Sequence, residues 1–119
     1  MTQPQPTNLP DYFPDDLPLF TVGQLVRHRR YGYRGLVVDF DVRCRADNQW
    51  YRSNRTQPRR DQPWYHLLVH DSTINTYAAQ DNLVPDPTPM AIDHPLVEQF
   101  FDSFDLGRYV RNDDPWPGC

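Results

Sequence analysis

The run of residues 64–70 constrains the fold of this chain more than any other segment. It reads WYHLLVH and follows Pro63, a residue that is tolerated at the first position of a strand. Aromatic and branched residues bounded by turn signals are typical of strands. Asp71 and Ser72 then predict a turn, and residues 74–79 predict a second strand that pairs with the first as an antiparallel hairpin.

A second predicted hairpin precedes this one in the chain. Apolar and polar residues alternate over residues 22–28, and residues 36–40 form a β-branched and aromatic run. Gly32 and Gly35 allow a tight turn or a bulge between the two segments. Together the hairpins predict a mainly β fold, a small and strongly bent antiparallel barrel. From the alternation we expect five apolar residues to be buried: Val26, Leu36, Val38, Leu67 and Val69.

Prolines divide the chain into three parts. Residues 1–19 hold prolines among polar and acidic residues, which favours an extended N-terminal arm. Residues 20–84 form the predicted barrel domain. Residues 85–119 begin with a stiff Pro-rich connector and continue with a helix and a tail that we expect to pack on the barrel.

The part that follows the connector predicts a single C-terminal α-helix over residues 95–104. Pro95 suits the first turn of a helix, and Leu96, Phe100 and Phe104 recur at helical spacing. We therefore expect these three side chains to pack on the barrel. Residues 108–111 predict a short edge strand after the helix.

Charge is distributed unevenly along the chain. Residues 27–60 contain ten of the twelve basic residues, all of them arginine, and only three aspartates, so that this segment carries a formal charge of +7. Because the whole chain carries −4, the remaining residues carry −11. A strongly basic stretch in an acidic chain is suited to nucleic acid or to another acidic surface.

The basic segment supplies the candidate binding residues. Arginine can neutralise phosphates while interleaved aromatic rings stack on bases. The alternative is that the basic segment is a solvated face, and that the aromatic residues pack into a small core or pin the long loop predicted at residues 43–63. The candidate phosphate contacts are Arg29, Arg30, Arg34, Arg52, Arg55, Arg59 and Arg60. The candidate aromatic contacts are Tyr31, Tyr33 and Trp50.

The pattern of titratable residues gives little reason to expect catalysis, a metal or another cofactor. In a strand, His66 and His70 stand about 13 Å apart, too far to share one ion. Cys44, the histidines and the aspartates show no recognisable catalytic spacing. We expect Cys44 and Cys119 to be free thiols. No apolar run suggests export or membrane insertion, so we expect a cytoplasmic protein.

Four stretches of the sequence resemble the hemimethylated-DNA-binding, YccV-like family, which includes heat shock protein Q. They are FTVGQLVRH at residues 20–28, YGYRGLVVDFD at 31–41, QPWYHLLV at 62–69 and YAAQDNL at 77–83. The segment RRYGY at 29–33 and the C-terminal tail are also similar to the C-terminal domain of certain F-box proteins.

The resemblance implies an SH3-like barrel without catalytic activity and two possible functions. One is binding of double-stranded, hemimethylated DNA. The other is service as a specificity factor or adaptor for an ATP-dependent protease or another protein-quality-control complex. The resemblance assigns no contact residues, so the candidate residues rest on charge alone. We expect a non-catalytic hemimethylated-DNA-binding module, with the adaptor function as the alternative.

Overall fold

Five antiparallel strands form the main sheet in the computed structural model, which describes residues 17–118. Their bounds are Leu25–His28 (β1), Arg34–Asp41 (β2), Trp64–Val69 (β3), Asn75–Ala79 (β4) and Leu83–Pro85 (β5). The strand order across the sheet is β4-β3-β2-β1-β5. The mainly β prediction is confirmed, and both predicted hairpins, β1–β2 and β3–β4, are present.

The sheet is strongly bent, as predicted, but it does not close into a barrel. β4 and β5 lie at opposite edges although only a 3-10 helix, Gln80–Asn82, separates them in the chain. The sheet therefore curls until its two edges approach each other. The amide of Gln80 donates to the carbonyl of Pro63 (2.9 Å), and the amide of Asp81 donates to the side chain of Gln62 (2.9 Å). The hydrogen bonding between β3 and β4 ends at these residues, and β5 pairs with β1 and not with β4. The expected SH3-like barrel is therefore present only as an open, bent sheet.

Apolar side chains pack on both faces of this sheet. Val26 and Leu67 belong to the core on one face, and Leu36 and Val38 belong to the core on the other. The prediction of burial is confirmed for all five residues named from the alternation, including Val69. The second face is covered by four residues from the C-terminal part of the chain: Ile92, Phe100, Phe101 and Tyr109.

The long loop predicted at residues 43–63 contains a short helix, α1, at Asn48–Ser53. Asp47 caps it, because its carboxylate accepts a hydrogen bond from the amide of Trp50 (2.8 Å). The helix was not predicted, since its only apolar residues are Trp50 and Tyr51 and its stability comes from the cap and from packing.

The predicted C-terminal helix is confirmed only over Val97–Phe100 (α2). Phe101–Asp105 forms strand β6, which pairs with Arg108–Arg111 (β7), the predicted edge strand. Leu106 and Gly107 both have positive φ angles (52° and 80°), the backbone of a tight hairpin turn. The turn at Leu106 and Gly107 reverses the chain, so residues 101–105 pair with β7 instead of continuing the helix. Phe100 lies in the core cluster that contains Leu36 and Val38, and Leu96 and Phe104 pack against that cluster.

The start of the chain is described only from residue 17 onwards. Of the predicted arm at residues 1–19, residues 1–16 lie outside the described part, and so does Cys119. The side chain of Gln80 donates to the carbonyl of Leu17 (3.2 Å) and accepts from the amide of Leu19 (2.9 Å).

Cys44 is a buried free thiol. Within residues 17–118, no helix is long and apolar enough to cross a membrane.

Candidate functional site

A groove of about 440 Å³ runs along β4, and we call it the aromatic groove. All five residues of β4 line it. The turn after β1 forms one wall, and residues from the loop that carries α1 form the other. Its aromatic lining consists of Tyr31, Tyr33, Trp50, Trp64, Tyr77 and Trp116.

The wall formed by the turn after β1 is organised by His28. The imidazole stacks between Tyr31 (ring centroids 4.7 Å apart) and Tyr33 (5.1 Å). Its Nδ1 accepts hydrogen bonds from the amides of Arg30 and Tyr31, both at 3.1 Å. Burial, and then the nearby Arg30 guanidinium, lower the pKa of His28, so the ring stays neutral and Nδ1 remains an acceptor. The hydroxyl of Tyr33 reaches Thr76 Oγ1 (2.8 Å) and fixes this wall to β4.

Tyr77, on β4, contacts the opposite wall, which is formed by the loop that carries α1. Its ring stacks on His66 (4.4 Å between centroids) and contacts Trp50 (5.7 Å). Its hydroxyl donates to Asp41 Oδ2 (2.7 Å) and accepts from the amide of Arg45 (3.0 Å). Burial, and then the hydrogen bond to the Asp41 carboxylate, raise the pKa of Tyr77, so the phenol stays protonated. The orientations of the rings of His28, Tyr33 and Tyr77 are therefore fixed by hydrogen bonds.

Four of the predicted arginines are exposed near the aromatic groove. Arg29 and Arg30 lie in the turn that precedes Tyr31, Arg52 lies at the end of α1, and Arg55 lines the groove itself. No Asp or Glu is among the described residues that line it. The electrostatic character of the groove is therefore positive, which suits an anionic ligand.

The other three predicted arginines have partners within the protein. The guanidinium of Arg34 pairs with the buried carboxylate of Asp86 (Nε to Oδ2, 2.5 Å) and donates to the carbonyl of Met90 (2.6 Å). Arg60 lies over the ring of Tyr51 (4.8 Å to the centroid) and donates to the carbonyl of Ala46. Arg59, whose side chain is 50% exposed, pairs with Asp61 (2.9 Å). Arg34 and Arg60 thus stabilise the fold, and Asp61 partly neutralises Arg59.

The predicted aromatic contacts also differ in their availability. Tyr31 is half exposed, whereas Tyr33 and Trp50 are partly buried and packed against neighbouring rings. His28, Trp64, Tyr77 and Trp116 were not predicted as site residues. Trp64 and Tyr77 carry a strand alternation that becomes informative only once the register of β3 and β4 is known, and no local signal marks His28 or Trp116.

Residues 17–118 contain no group of three His, Cys, Asp or Glu side chains that could hold a metal ion. The two histidines weighed as ligands have other partners. His66 Nε2 lies 3.3 Å from Asp41 Oδ2, and His70 Nδ1 accepts from the amide of Asp93 (2.8 Å). Both rings are therefore occupied in structural contacts.

Comparison with protein families gives one match that covers most of the chain. The family described as "Hemimethylated DNA-binding protein YccV like" matches residues 18–108. The matched region contains the whole main sheet, α1, α2 and β6. It therefore includes both walls of the aromatic groove.

Curated proteins of vertebrates show a similarity over nearly the same extent. F-box only protein 21 of Homo sapiens, of Pongo abelii and of Mus musculus are each 32% identical to this chain over 96 residues. The alignment covers 78% of this chain and 15% of each relative. The chain thus spans a small part of the length of these relatives.

Proposed function

Because this chain belongs to the YccV-like family of hemimethylated DNA-binding proteins, we propose that it is a non-catalytic module that binds double-stranded DNA. Family membership confirms the resemblance found in the sequence, and the similarity to F-box only protein 21 confirms the resemblance to F-box proteins. We further propose that the module recognises the methylation state of the DNA.

The observation that carries the proposal is the position of the exposed arginines beside the aromatic groove. Arg29 and Arg30 directly precede Tyr31 of one wall, Arg55 lies on the other wall, and Arg52 is exposed on α1, which contributes Trp50 to that second wall. Guanidinium groups contact phosphates through paired donors, and such contacts provide most of the sequence-independent affinity for DNA. Two pairs of exposed arginines on separate elements can contact phosphates on both sides of one groove of the duplex.

Tyr31 is the aromatic residue best placed to add to these contacts. It is half exposed and follows Arg30 directly, so its ring lies next to the proposed phosphate contacts. The stacking of its ring on the neutral His28 fixes its orientation. A rigid exposed ring costs little entropy on binding, which favours its use as a contact to bases or sugars.

Fluorescence anisotropy with a labelled duplex tests the proposal. Four phosphate contacts give a slope of about −3.6 for the logarithm of affinity against that of salt concentration. Replacing one contact, as in Arg30→Glu or Arg55→Glu, should weaken binding and bring the slope to about −2.7. Arg108→Glu is the matched control, because it makes the same charge change at an exposed site on β7. Undetectable binding at low salt would refute the proposal.

The methylation state is tested with three versions of one duplex: unmethylated, hemimethylated and fully methylated. Phosphate contacts carry no sequence information, so they give equal affinities for all three. A preference for the hemimethylated duplex that survives Arg30→Glu would support readout of the methyl group or of DNA shape. Equal affinities would restrict the function to electrostatic DNA binding.

The adaptor function is a second candidate, and the free side of β4 favours it. The whole of this edge strand lines a groove whose aromatic rings are not fully covered. Such an edge can accept a peptide as well as a surface of DNA. Pull-down of a protease or a ubiquitin ligase subunit that fails with groove variants would support this alternative.

A further inference from the structure

β4 has an unpaired side along the aromatic groove, and its exposure decreases from Asn75 to the buried Ala79. It is the outermost strand of the main sheet and pairs with β3 alone. The amide of Val69 donates to the carbonyl of Ile74 (3.0 Å), and the amide of Gln80 donates to that of Pro63 (2.9 Å). Since the hydrogen-bonded pairs of an antiparallel ladder alternate, these two bonds fix which residues of β4 face β3.

Thr76 and Ala78 direct their amides and carbonyls towards β3 in this register. Asn75, Tyr77 and Ala79 direct theirs away from it. Among residues 17–118, no hydrogen bond reaches the backbone groups of Asn75 and Tyr77 or the amide of Ala79, whereas the carbonyl of Ala79 caps the 3-10 helix that follows. The free edge therefore presents three amide donors, at Asn75, Tyr77 and Ala79, and two carbonyl acceptors, at Asn75 and Tyr77, in the arrangement that pairs with another strand.

The usual protections of an edge strand are missing from β4. Natural sheets protect their edges with charged residues, prolines or bulges. The sequence of β4, NTYAA, contains no charged residue and no proline, and its pairing with β3 has no register shift. Instead, the aromatic groove runs along its entire length.

The lining of the groove indicates the chemistry of its occupant. The rings of Trp50 and Tyr77 offer apolar contacts to one large side chain. Arg55 lines the groove, Arg29 and Arg30 lie beside it, and no carboxylate is among its described lining residues. An extended peptide with an apolar or aromatic residue and acidic neighbours satisfies all of these contacts.

A base inserted between rings fits the groove less well. The paired rings already touch, with centroids 4.7 Å apart for His28 and Tyr31 and 4.4 Å for His66 and Tyr77. No space remains between them for a further ring. A base would also leave most of the backbone groups of β4 unpaired, whereas a strand satisfies them.

We propose that β4 binds an extended acidic peptide from a partner protein as a sixth strand, with an apolar side chain of that peptide in the aromatic groove. The partner pairs with the backbone of Asn75 and Tyr77 and with the amide of Ala79, and Arg55 binds one of its carboxylates. Arg55 is shared with the proposed DNA contacts, whereas the backbone pairing with β4 is not.

Binding is measured on the full chain with a fluorescein-labelled octapeptide, Asp-Glu-Val-Trp-Val-Thr-Glu-Asp. The key variant is Asn75→Pro, because proline removes an outward amide and blocks the edge without removing a bond to β3. Asn75→Ala is its matched control. We expect Asn75→Pro to weaken binding by about tenfold or more and Asn75→Ala by less than about twofold. Equal thermal midpoints of the two variants show that the fold is retained.

Two further comparisons test the charge. Arg55→Glu should weaken binding by about threefold or more, whereas Arg43→Glu, an exposed change outside the groove, should not. A peptide with lysine at the acidic positions should bind more weakly than the acidic one. Equal binding of the two peptides would overturn the proposed chemistry.

Amide hydrogen exchange identifies the mode of binding. At saturating peptide, exchange should slow at Tyr77 and Ala79, whose amides face outwards, and remain unchanged at Thr76 and Ala78, whose amides already bond to β3. Unchanged exchange at Tyr77 and Ala79, or no binding at about 1 mM peptide, would overturn the proposal. Slowing of both amides by duplex DNA but not by peptide would assign the groove to DNA and also overturn it.

Discussion

Asp86 is the single residue on which several separate parts of the chain depend. Its carboxylate is fully buried and pairs with Arg34 (2.5 Å) and with Arg27 (3.5 Å). Burial alone would raise the pKa of Asp86, but the hydrogen bonds from Arg34 and Thr88 outweigh it, so the pKa lies below its ordinary value. The contribution of this group to stability is therefore fully present at neutral pH and is lost as pH falls below about 3.8.

Asp86→Ala should lower the free energy of unfolding at pH 7 by about 3 kcal/mol, because it leaves the guanidinium of Arg34 buried without its partner. The difference from the natural chain should shrink at pH 3, where the carboxylate begins to lose its charge. Urea denaturation at both pH values measures this. Asp113→Ala, at an exposed aspartate, is the control. An equal loss at both pH values would contradict the role assigned to the charge.

The role of Arg34 could not be predicted from its neighbours in the sequence. From its neighbours Arg29 and Arg30, Arg34 is predicted to be a free cation. Its partner, Asp86, comes 52 residues later in the chain. The same holds for Arg60, which binds the carbonyl of Ala46 and the ring of Tyr51. Burial of Val26 and Leu67 was predictable, since alternation within a strand is a local signal.

At the scale of elements, Gly23 controls the contact between the C-terminal hairpin and the main sheet. Its carbonyl accepts from the amide of Tyr109 (2.9 Å), and its amide donates to the carbonyl of Val37 (2.8 Å). It has a φ of +94°, and a Cβ atom there would overlap the carbonyl oxygen of Tyr109. Only glycine allows β7 to approach so closely.

Gly23→Ala should therefore destabilise the protein more than Gly32→Ala does. Gly32 also has a positive φ (+76°), but nothing lies within 4 Å of an added Cβ atom, so its replacement costs only backbone strain, about 1 kcal/mol. For Gly23→Ala we expect a loss of about 3 kcal/mol, because the hairpin must move away. Chemical denaturation of both variants measures the difference, and equal losses would show that the close approach is unimportant.

The hairpin also shows why one element was predicted with the wrong extent. Phe100 and Phe104 recur at helical spacing, and Gly107 can end a helix as readily as it can form a tight turn. The local pattern thus fits both structures. The bridge between Gln24 and Arg108 favours the hairpin, and no local pattern reveals a contact so distant in the chain.

At the scale of the whole molecule, the C-terminal part forms one side of the core. Ile92, Phe100, Phe101 and Tyr109 cover a face that the sheet would otherwise expose. A chain ending after Thr88 should therefore melt more than about 10 °C lower, since each buried side chain contributes about 1.5 to 3 kcal/mol. A chain ending after Asn112 keeps all four residues and is the control. Equal melting temperatures of the two chains would show that the C-terminal part is independent.

The bend of the sheet was predictable from the short strands and the glycine-rich turn, whereas its open edge was not. Gln80 and Asp81 lie between β4 and β5, and their amides donate to the carbonyl of Pro63 and to the side chain of Gln62. These contacts join residues far apart in the chain, so no local pattern shows that β4 and β5 remain unpaired. The aromatic groove follows from that open edge. The candidate site could therefore be predicted only in its charge and not in its shape.

The late pairing of β1 has a consequence for synthesis on the ribosome. β1 is made early, but its second neighbour, β5, is complete only at Pro85, and the bridge from Gln24 needs Arg108. During synthesis, β1 therefore keeps one unpaired edge until Pro85 has been added, and the apolar face stays uncovered until the segment up to Tyr109 has followed. Such surfaces promote aggregation of incomplete chains. Slower elongation between Pro85 and Arg108 would prolong this exposure.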